Sequence, residues 1–181
     1  MPGVAFNPEI HKRRSIRLKN YDYLQNGGYF ITVCVKNSEC ILGEIRNGKT
    51  QSSHIGEIVK NCWFEISSHF KNVILDQFVI MPNHVHGILF IDHCKGVACN
   101  VPTARNNFHS AISPKPKSLP TIIRSFKSAV SNICNKNNYH FQWHRNYYEH
   151  IIRNEHELNR IRKYIMNNPL QWELDLHNCQ V

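Results

Sequence analysis

The stretch Val73-Ile74-Leu75-Asp76-Gln77-Phe78-Val79-Ile80-Met81-Pro82-Asn83-His84-Val85-His86-Gly87-Ile88-Leu89-Phe90-Ile91 decides how this chain is read. Two runs rich in β-branched and aromatic residues, Val73 to Met81 and His84 to Ile91, predict a pair of strands. Pro82 cannot donate to a ladder and Asn83 favours a turn, so the break falls between the runs. Side chains alternate across a strand, which puts His84 and His86 on one face and Val85 on the other. Two imidazoles on one face make a bidentate donor pair for a metal ion; a His-x-His pair is more often two ordinary surface or hydrogen-bonded histidines.

Upstream, Gly27-Gly28 opens Tyr29 to Val35, a β-branched and aromatic run that predicts a central strand. Ile41 to Ile45 and Lys49 to Ser52 flank Arg46-Asn47-Gly48, and Asn-Gly between short extended runs predicts a hairpin. Ser53 caps a predicted helix to Phe70, with Ile55, Ile58, Val59, Cys62, Trp63 and Ile66 on one apolar face. Downstream, residues 92–117 are rich in Asn, Ser, Lys and Pro and read as an exposed loop. Ser118 with Pro120 starts a second helix, whose stripe is Ile122, Ile123, Phe126, Val130 and Ile133 and whose basic residues lie off it. Phe141 to Ile152 reads as extended. Asn154 and Glu157 have the spacing of a capping box for a third helix, which Pro169 stops.

At 181 residues with 41% hydrophobic and 19% charged content, the chain has the size and composition of one domain with a core. We divide it into a basic arm at 1–26, a domain at 27–175 and a tail at 176–181. The net charge of +9 and pI near 9.3 favour a polyanionic partner, nucleic acid ahead of an anionic membrane surface. No run approaches the roughly 18 apolar residues of a membrane span, and no basic segment with an apolar signal core opens the chain. A cytoplasmic protein is expected. Seven cysteines, an odd number without a Cys-x-x-Cys pair, predict reduced thiols rather than a disulfide framework or zinc ribbon. The arm carries Arg14 and Arg17 among five basic residues, with Tyr21 and Tyr23 beside them, a mixture suited to a nucleic-acid backbone and unstacked bases.

On the third predicted helix, Tyr164 and Asn168 stand one turn apart beside the stripe Leu158, Ile161 and Ile165. The run Met81-Pro82-Asn83-His84-Val85-His86, taken with Tyr164-Ile165-Met166-Asn167-Asn168-Pro169, resembles the HUH single-tyrosine transposase family. Arg14-Ser15-Ile16-Arg17-Leu18, Tyr21-Asp22-Tyr23, Phe126-Lys127-Ser128 and Arg145-Asn146-Tyr147-Tyr148-Glu149-His150-Ile151-Ile152-Arg153-Asn154 are similar to its REP-associated branch. The likeness runs over nearly the whole chain. His144 and Lys19-Asn20 depart from the family pattern at places that bear on substrate contacts.

The resemblance implies an α+β, ferredoxin-like antiparallel sheet with helices packed on one face. It also implies a metal-dependent single-stranded DNA endonuclease and strand transferase that acts at hairpin or repeat DNA. In that reading Tyr164 attacks the scissile phosphate to give a 5′-phosphotyrosine. His84 and His86 hold a divalent ion, Mg²⁺ or Mn²⁺, with Asn168 as third ligand at the family's polar offset. A phenol with an ordinary pKa near 10 needs a base or a nearby cation to act at neutral pH, which agrees with the pairing of tyrosine and metal. Arg14, Arg17, Lys127, Arg145 and Arg153 are candidate phosphate contacts, and Trp143, Tyr147 and Tyr148 candidate stacking residues. Tyr147 and Tyr148 are also rival nucleophiles. Two other readings stand beside this one: a non-catalytic nucleic-acid-binding module and a phosphodiesterase that uses water. Monomer and homodimer remain open.

Overall fold

The computed structural model describes residues 21–92 and 115–174. Arg14, Arg17, most of the arm, most of the 92–117 loop and the tail lie outside the described residues.

The glycine-led run forms β1 (Gly27–Cys34), and the Asn-Gly hairpin forms β2 (Gly43–Arg46) and β3 (Lys49–Ser52). Asn47 and Gly48 both take positive φ, 52° and 68°, the turn geometry that matches strand twist in a two-residue hairpin. Helix α1 (His54–His69) follows, its first amides satisfied where Ser53 Oγ accepts from Gly56 N at 3.1 Å. Next come β4 (Val73–Ile80), β5 (His84–Ile91), α2 (Leu119–Lys136), β6 (Tyr148–Ile152) and α3 (Glu155–Asn167). Pro169 ends the α-helical ladder as its missing N–H requires, and the chain continues as a 3-10 segment, Asn168–Leu174. Ser118 starts α2 without capping it: its hydroxyl donates to the Lys115 carbonyl at 2.6 Å.

The main sheet has the order β4-β5-β1-β6, antiparallel throughout. Leaving out the β2–β3 hairpin, the sequence β-α-β-β-α-β with this strand order is the ferredoxin-like arrangement, so the expected α+β class is what the chain adopts. The two faces of the sheet are covered differently. Tyr29, Ile31, Val33, Val85, Leu89 and Ile91 face α1 and α2, where they meet Trp63, Ile122, Ile123, Phe126 and Val130 in the main core. Burying side chains of this size contributes about 1.5–3 kcal/mol each. Gly87 belongs to this face, and a Cβ there would overlap the Trp63 indole. Trp63 stacks on Phe78, with ring centroids 4.8 Å apart. The opposite face carries the smaller cluster of Ile88, Phe30, Phe90 and Ile152, covered by Leu158, Ile161 and Ile165 of α3. Two helices therefore share one face as expected, and the third lies across the other.

Tyr21 and Tyr23 pack on each other at 4.9 Å and on Tyr29. They close one end of the core rather than standing out to meet bases. Burial, with the hydrogen bond to Tyr21, pushes the Tyr29 hydroxyl far above the ordinary phenol range. Cys34, Cys62 and Cys134 are reduced thiols, whereas Cys40, exposed in the loop before β2, is disulfide-bonded. This corrects the expectation of thiols throughout: an odd total rules out complete pairing but leaves room for a bridge.

Candidate active site

β5 sets the floor of the site. His84 and His86 are both buried, at 0% and 3% exposure, on the face that α3 covers. Their Nε2 atoms lie 3.0 Å apart. His84 Nδ1 is 2.7 Å from Asn83 Oδ1, and His86 Nδ1 is 2.8 Å from Thr32 Oγ1. The second contact follows from sheet register, since Thr32 of β1 lies opposite His86. Phe30 stacks on the His86 ring at 5.3 Å and meets the Tyr164 ring edge-on at 6.0 Å.

Helix α3 brings the phenol to this floor. Its start is fixed by Asn154 Oδ1, which accepts from Glu157 N at 2.8 Å, while Glu157 Oε2 accepts from the Arg153 amide at 2.9 Å. The capping box is thus shifted by one residue at its return bond. The Glu157 carboxyl also accepts from His150 Nε2 at 2.8 Å. The Arg153 amide first, and then His150, hold the Glu157 carboxyl below its usual range. Toward the other end, Arg162 donates through Nε and Nη2 to Asp76 Oδ2, at 2.9 and 2.5 Å. Asp76 sits at the irregularity of β4 between Leu75 and Phe78; this bulge turns the carboxylate to the α3 side. Between these anchors Ile161 and Ile165 are buried, and Tyr164, 43% exposed, places its hydroxyl 3.4 Å from His86 Nε2.

One turn on, Asn168 is buried at 2% exposure, and its Oδ1 has no hydrogen-bond partner. Tyr164 packs on His86 at 5.3 Å and Trp172 on His84 at 6.1 Å. Asn168 lies between those two residues in the chain, along the segment that spans both imidazoles. A buried carbonyl oxygen with no donor costs about 1–3 kcal/mol, and an orphaned acceptor of this kind is one that a cation satisfies. Among the described residues no three His, Cys, Asp or Glu side chains cluster as a metal site.

The remaining predicted residues divide by face. Tyr148 pairs with Thr32 in register, is exposed, and its ring lies 6.4 Å from Phe30 on the site side. Tyr147 is half-buried against the main core on the other side. Trp143 also lies there, 4.8 Å from Phe141 and 5.8 Å from Phe126. Arg145 and Arg153 are exposed. Lys127 is half-buried and directs its ammonium to three successive carbonyls, His144 at 2.7 Å, Arg145 at 3.2 Å and Asn146 at 3.4 Å. Burial lowers its pKa from the usual lysine value. Its donors hold the loop that leads to Tyr148, a placement in which it organises the chain rather than facing a phosphate.

Sequence reasoning missed Thr32, Asn83, Phe30 and the Asp76–Arg162 pair. Asn83 and Arg162 stand beside residues already singled out. The contacts of Thr32, Phe30 and Asp76 arise from strand pairing and a bulge, for which one strand read alone carries no signal.

No family model matches the chain. An uncharacterized protein of Haemophilus influenzae is 46% identical over 174 residues, spanning 95% of this chain and 96% of that one. Among solved structures, a REP-associated tyrosine transposase bound to a REP hairpin superposes with a TM-score of 0.54 at 18% identity, covering 86% of this chain and 74% of that one. The fold is shared with that transposase. No helix among the described residues is long and apolar enough to cross a membrane.

Proposed function

Because the chain belongs to one family with the Haemophilus influenzae protein and shares its fold with a hairpin-bound tyrosine transposase, we propose that it is a metal-dependent single-stranded DNA endonuclease and strand transferase. One observation carries the reading: the Tyr164 hydroxyl stands 3.4 Å from a buried imidazole pair whose Nε2 atoms converge at 3.0 Å. A core aromatic would bury its hydroxyl or turn it to solvent; here it meets the pair at the open edge of a polar floor.

The residues fit a divalent cation. His84 and His86 offer nitrogen, and the orphaned Asn168 Oδ1 offers oxygen, a mixed set that suits Mn²⁺ at least as well as Mg²⁺. When bound, such an ion supplies Lewis-acid polarisation of the phosphoryl group and neutralises charge that develops on it. The chain's own groups do the rest. Tyr164 Oη attacks phosphorus, and its proton passes to solvent as the Tyr164 O–P bond forms. The P–O3′ bond breaks, and the departing oxygen takes up a proton to become a 3′-hydroxyl. The 5′ end stays on the protein, so the phosphodiester energy is kept and attack by a 3′-hydroxyl reverses the step without a nucleotide cofactor. Tyr148, exposed on the same face, is the proposed stacking residue for an unpaired base. Arg145 and Arg153, with Arg14 and Arg17 of the arm, are the proposed phosphate contacts, in keeping with the net charge of +9. Hairpin or repeat DNA is the proposed substrate.

The test is a denaturing gel of the protein with labelled single-stranded hairpin DNA taken from beside its own gene, run with Mn²⁺, Mg²⁺ or EDTA. A protein-linked DNA band that needs metal and disappears in Tyr164→Phe is expected. Tight binding with neither cut nor adduct under any metal would leave a binding module, and turnover without an adduct would leave a water-using phosphodiesterase.

A further inference from the structure

The contacts around the two imidazoles bear on where their protons sit. Asn83 is 1% exposed, and its Nδ2 donates to the Ser38 carbonyl at 3.2 Å. That bond fixes the carboxamide, since the flipped amide would set oxygen against oxygen. Oδ1 therefore faces His84 Nδ1 at 2.7 Å and, as an acceptor only, requires the imidazole to donate. A neutral His84 so held carries its proton on Nδ1 and a lone pair on Nε2. His86 stands in a different position. Its Nδ1 partner is the Thr32 hydroxyl at 2.8 Å, a group that donates or accepts equally well.

We propose, building on the function above, that Asn83 is a positioning residue that presets His84 as a nitrogen donor, and that Thr32 lets His86 exchange tautomers when a cation arrives. With no cation, the 3.0 Å approach of the two Nε2 atoms needs one proton between them. Neutral His84, held as Nδ1–H, does not supply it, so His86 Nε2–H donates to His84 Nε2, with the Tyr164 hydroxyl oxygen 3.4 Å from the same nitrogen as a second acceptor, and His86 Nδ1 accepts from the Thr32 O–H. With a divalent cation both Nε2 atoms must offer lone pairs. The His86 proton then sits on Nδ1 and is donated to Thr32 Oγ1, whose own proton turns away. No group changes its charge; one proton changes its nitrogen and one hydroxyl rotates. A fixed acceptor beneath each imidazole would leave the empty pair with two lone pairs opposed, and a fixed donor beneath His86 would block the loaded one. The pairing of an amide under one histidine with a hydroxyl under the other avoids both.

The experiment reads imidazole ¹⁵N shifts in the metal-free protein and after adding Mg²⁺, together with Mn²⁺ affinity by electron paramagnetic resonance. The expected result is His84 as the Nδ1–H form throughout, and His86 as Nε2–H without metal and Nδ1–H with it. Asn83→Leu should lose the His84 preference and weaken Mn²⁺ about 10–100-fold. Asn83→Asp, which keeps an acceptor oxygen, should hold the His84 tautomer. Thr32→Val should weaken Mn²⁺ while Thr32→Ser retains it. A wild-type His84 protonated on Nε2, or a folded Asn83→Leu with unchanged Mn²⁺ affinity, overturns the role of Asn83. A His86 tautomer that does not respond to Mg²⁺ overturns that of Thr32. If the wild-type protein binds neither ion but shows His84 as Nδ1–H, lost in Asn83→Leu, the metal-dependent function fails while the Asn83 assignment stands.

Discussion

The two faces of one sheet in this protein are built from alternate residues of the same strands, yet they do opposite things. On β5, Val85, Leu89 and Ile91 point into the core under α1 and α2, while His84 and His86 point to α3 and are just as deeply buried. The first face is apolar and continuous, and its stability comes from area and packing. The second sinks polar groups that need partners: each ring nitrogen of His84 and His86 has one within 3.0 Å, whereas Asn168 Oδ1 has none. The pleat of a strand therefore lets one segment serve as scaffold on one side and carry the candidate site on the other. The face that holds the candidate site is the one with the smaller apolar cluster.

The sharpest way to separate the faces is Tyr164→Phe. It should lower cleavage about 10³-fold or more and leave the melting temperature close to wild type, because the hydroxyl is removed from a ring that is 43% exposed; single-turnover cleavage and a thermal melt check both halves. Trp63→Ala should do the reverse. Loss of a fully buried indole costs about 3–5 kcal/mol, read in a denaturant titration, and the folded fraction should still bind DNA. Gly87→Ala, which drives a methyl into that indole, should cost about 1–3 kcal/mol by overpacking on the same titration.

Arg162→Met tests whether α3 belongs to the scaffold or to the site. Removing the partner of Asp76 should cost about 1–3 kcal/mol and lower the cleavage rate further than the lost folded population explains; equal losses in both would make the pair structural only. The smallest effect is the pH response of Glu157. Its carboxyl is held below the usual range, so it stabilises the folded state at pH above the ordinary glutamate value, about 4.3. That contribution is lost as the pH falls past this value and through the lowered one. Amide exchange in the first turn of α3 should speed up over that window in the wild-type protein and show no such step in Glu157→Gln.

Much of the scaffold face was legible because it obeys simple periods. The strands at Val73 and His84, the helical stripe from Ile55 to Ile66 and the Asn47-Gly48 turn each follow from local rules. The site face was legible only where the motif resemblance named residues. Trp143 and Tyr147 look like surface aromatics in sequence because Arg145 and Asn146 separate them, yet both side chains fall on the core side. Lys127 reads as a basic residue on an exposed helical flank, while its ammonium is consumed by three carbonyls some seventeen to nineteen residues away. Thr32 sits in a strand that looks uniformly structural, and its bond to His86 spans fifty-four residues. Each of these depends on which strand lies beside which, and periodicity carries no such information.

The joint between β6 and α3 has mechanical meaning. Only Arg153 and Asn154 separate Ile152 from Glu155, so any tilt of the helix would pivot at the sheet. Tyr164 lies nine residues along the helix, about 14 Å at the usual helical rise. A swing of about ten degrees would carry the phenol roughly 2 Å by the same arithmetic, enough to take it out of reach of His86. The Arg162 contact to β4, two residues before the tyrosine, acts as the stop on that swing: the angle of one helix decides whether the tyrosine and the histidines form one site or two separate surfaces.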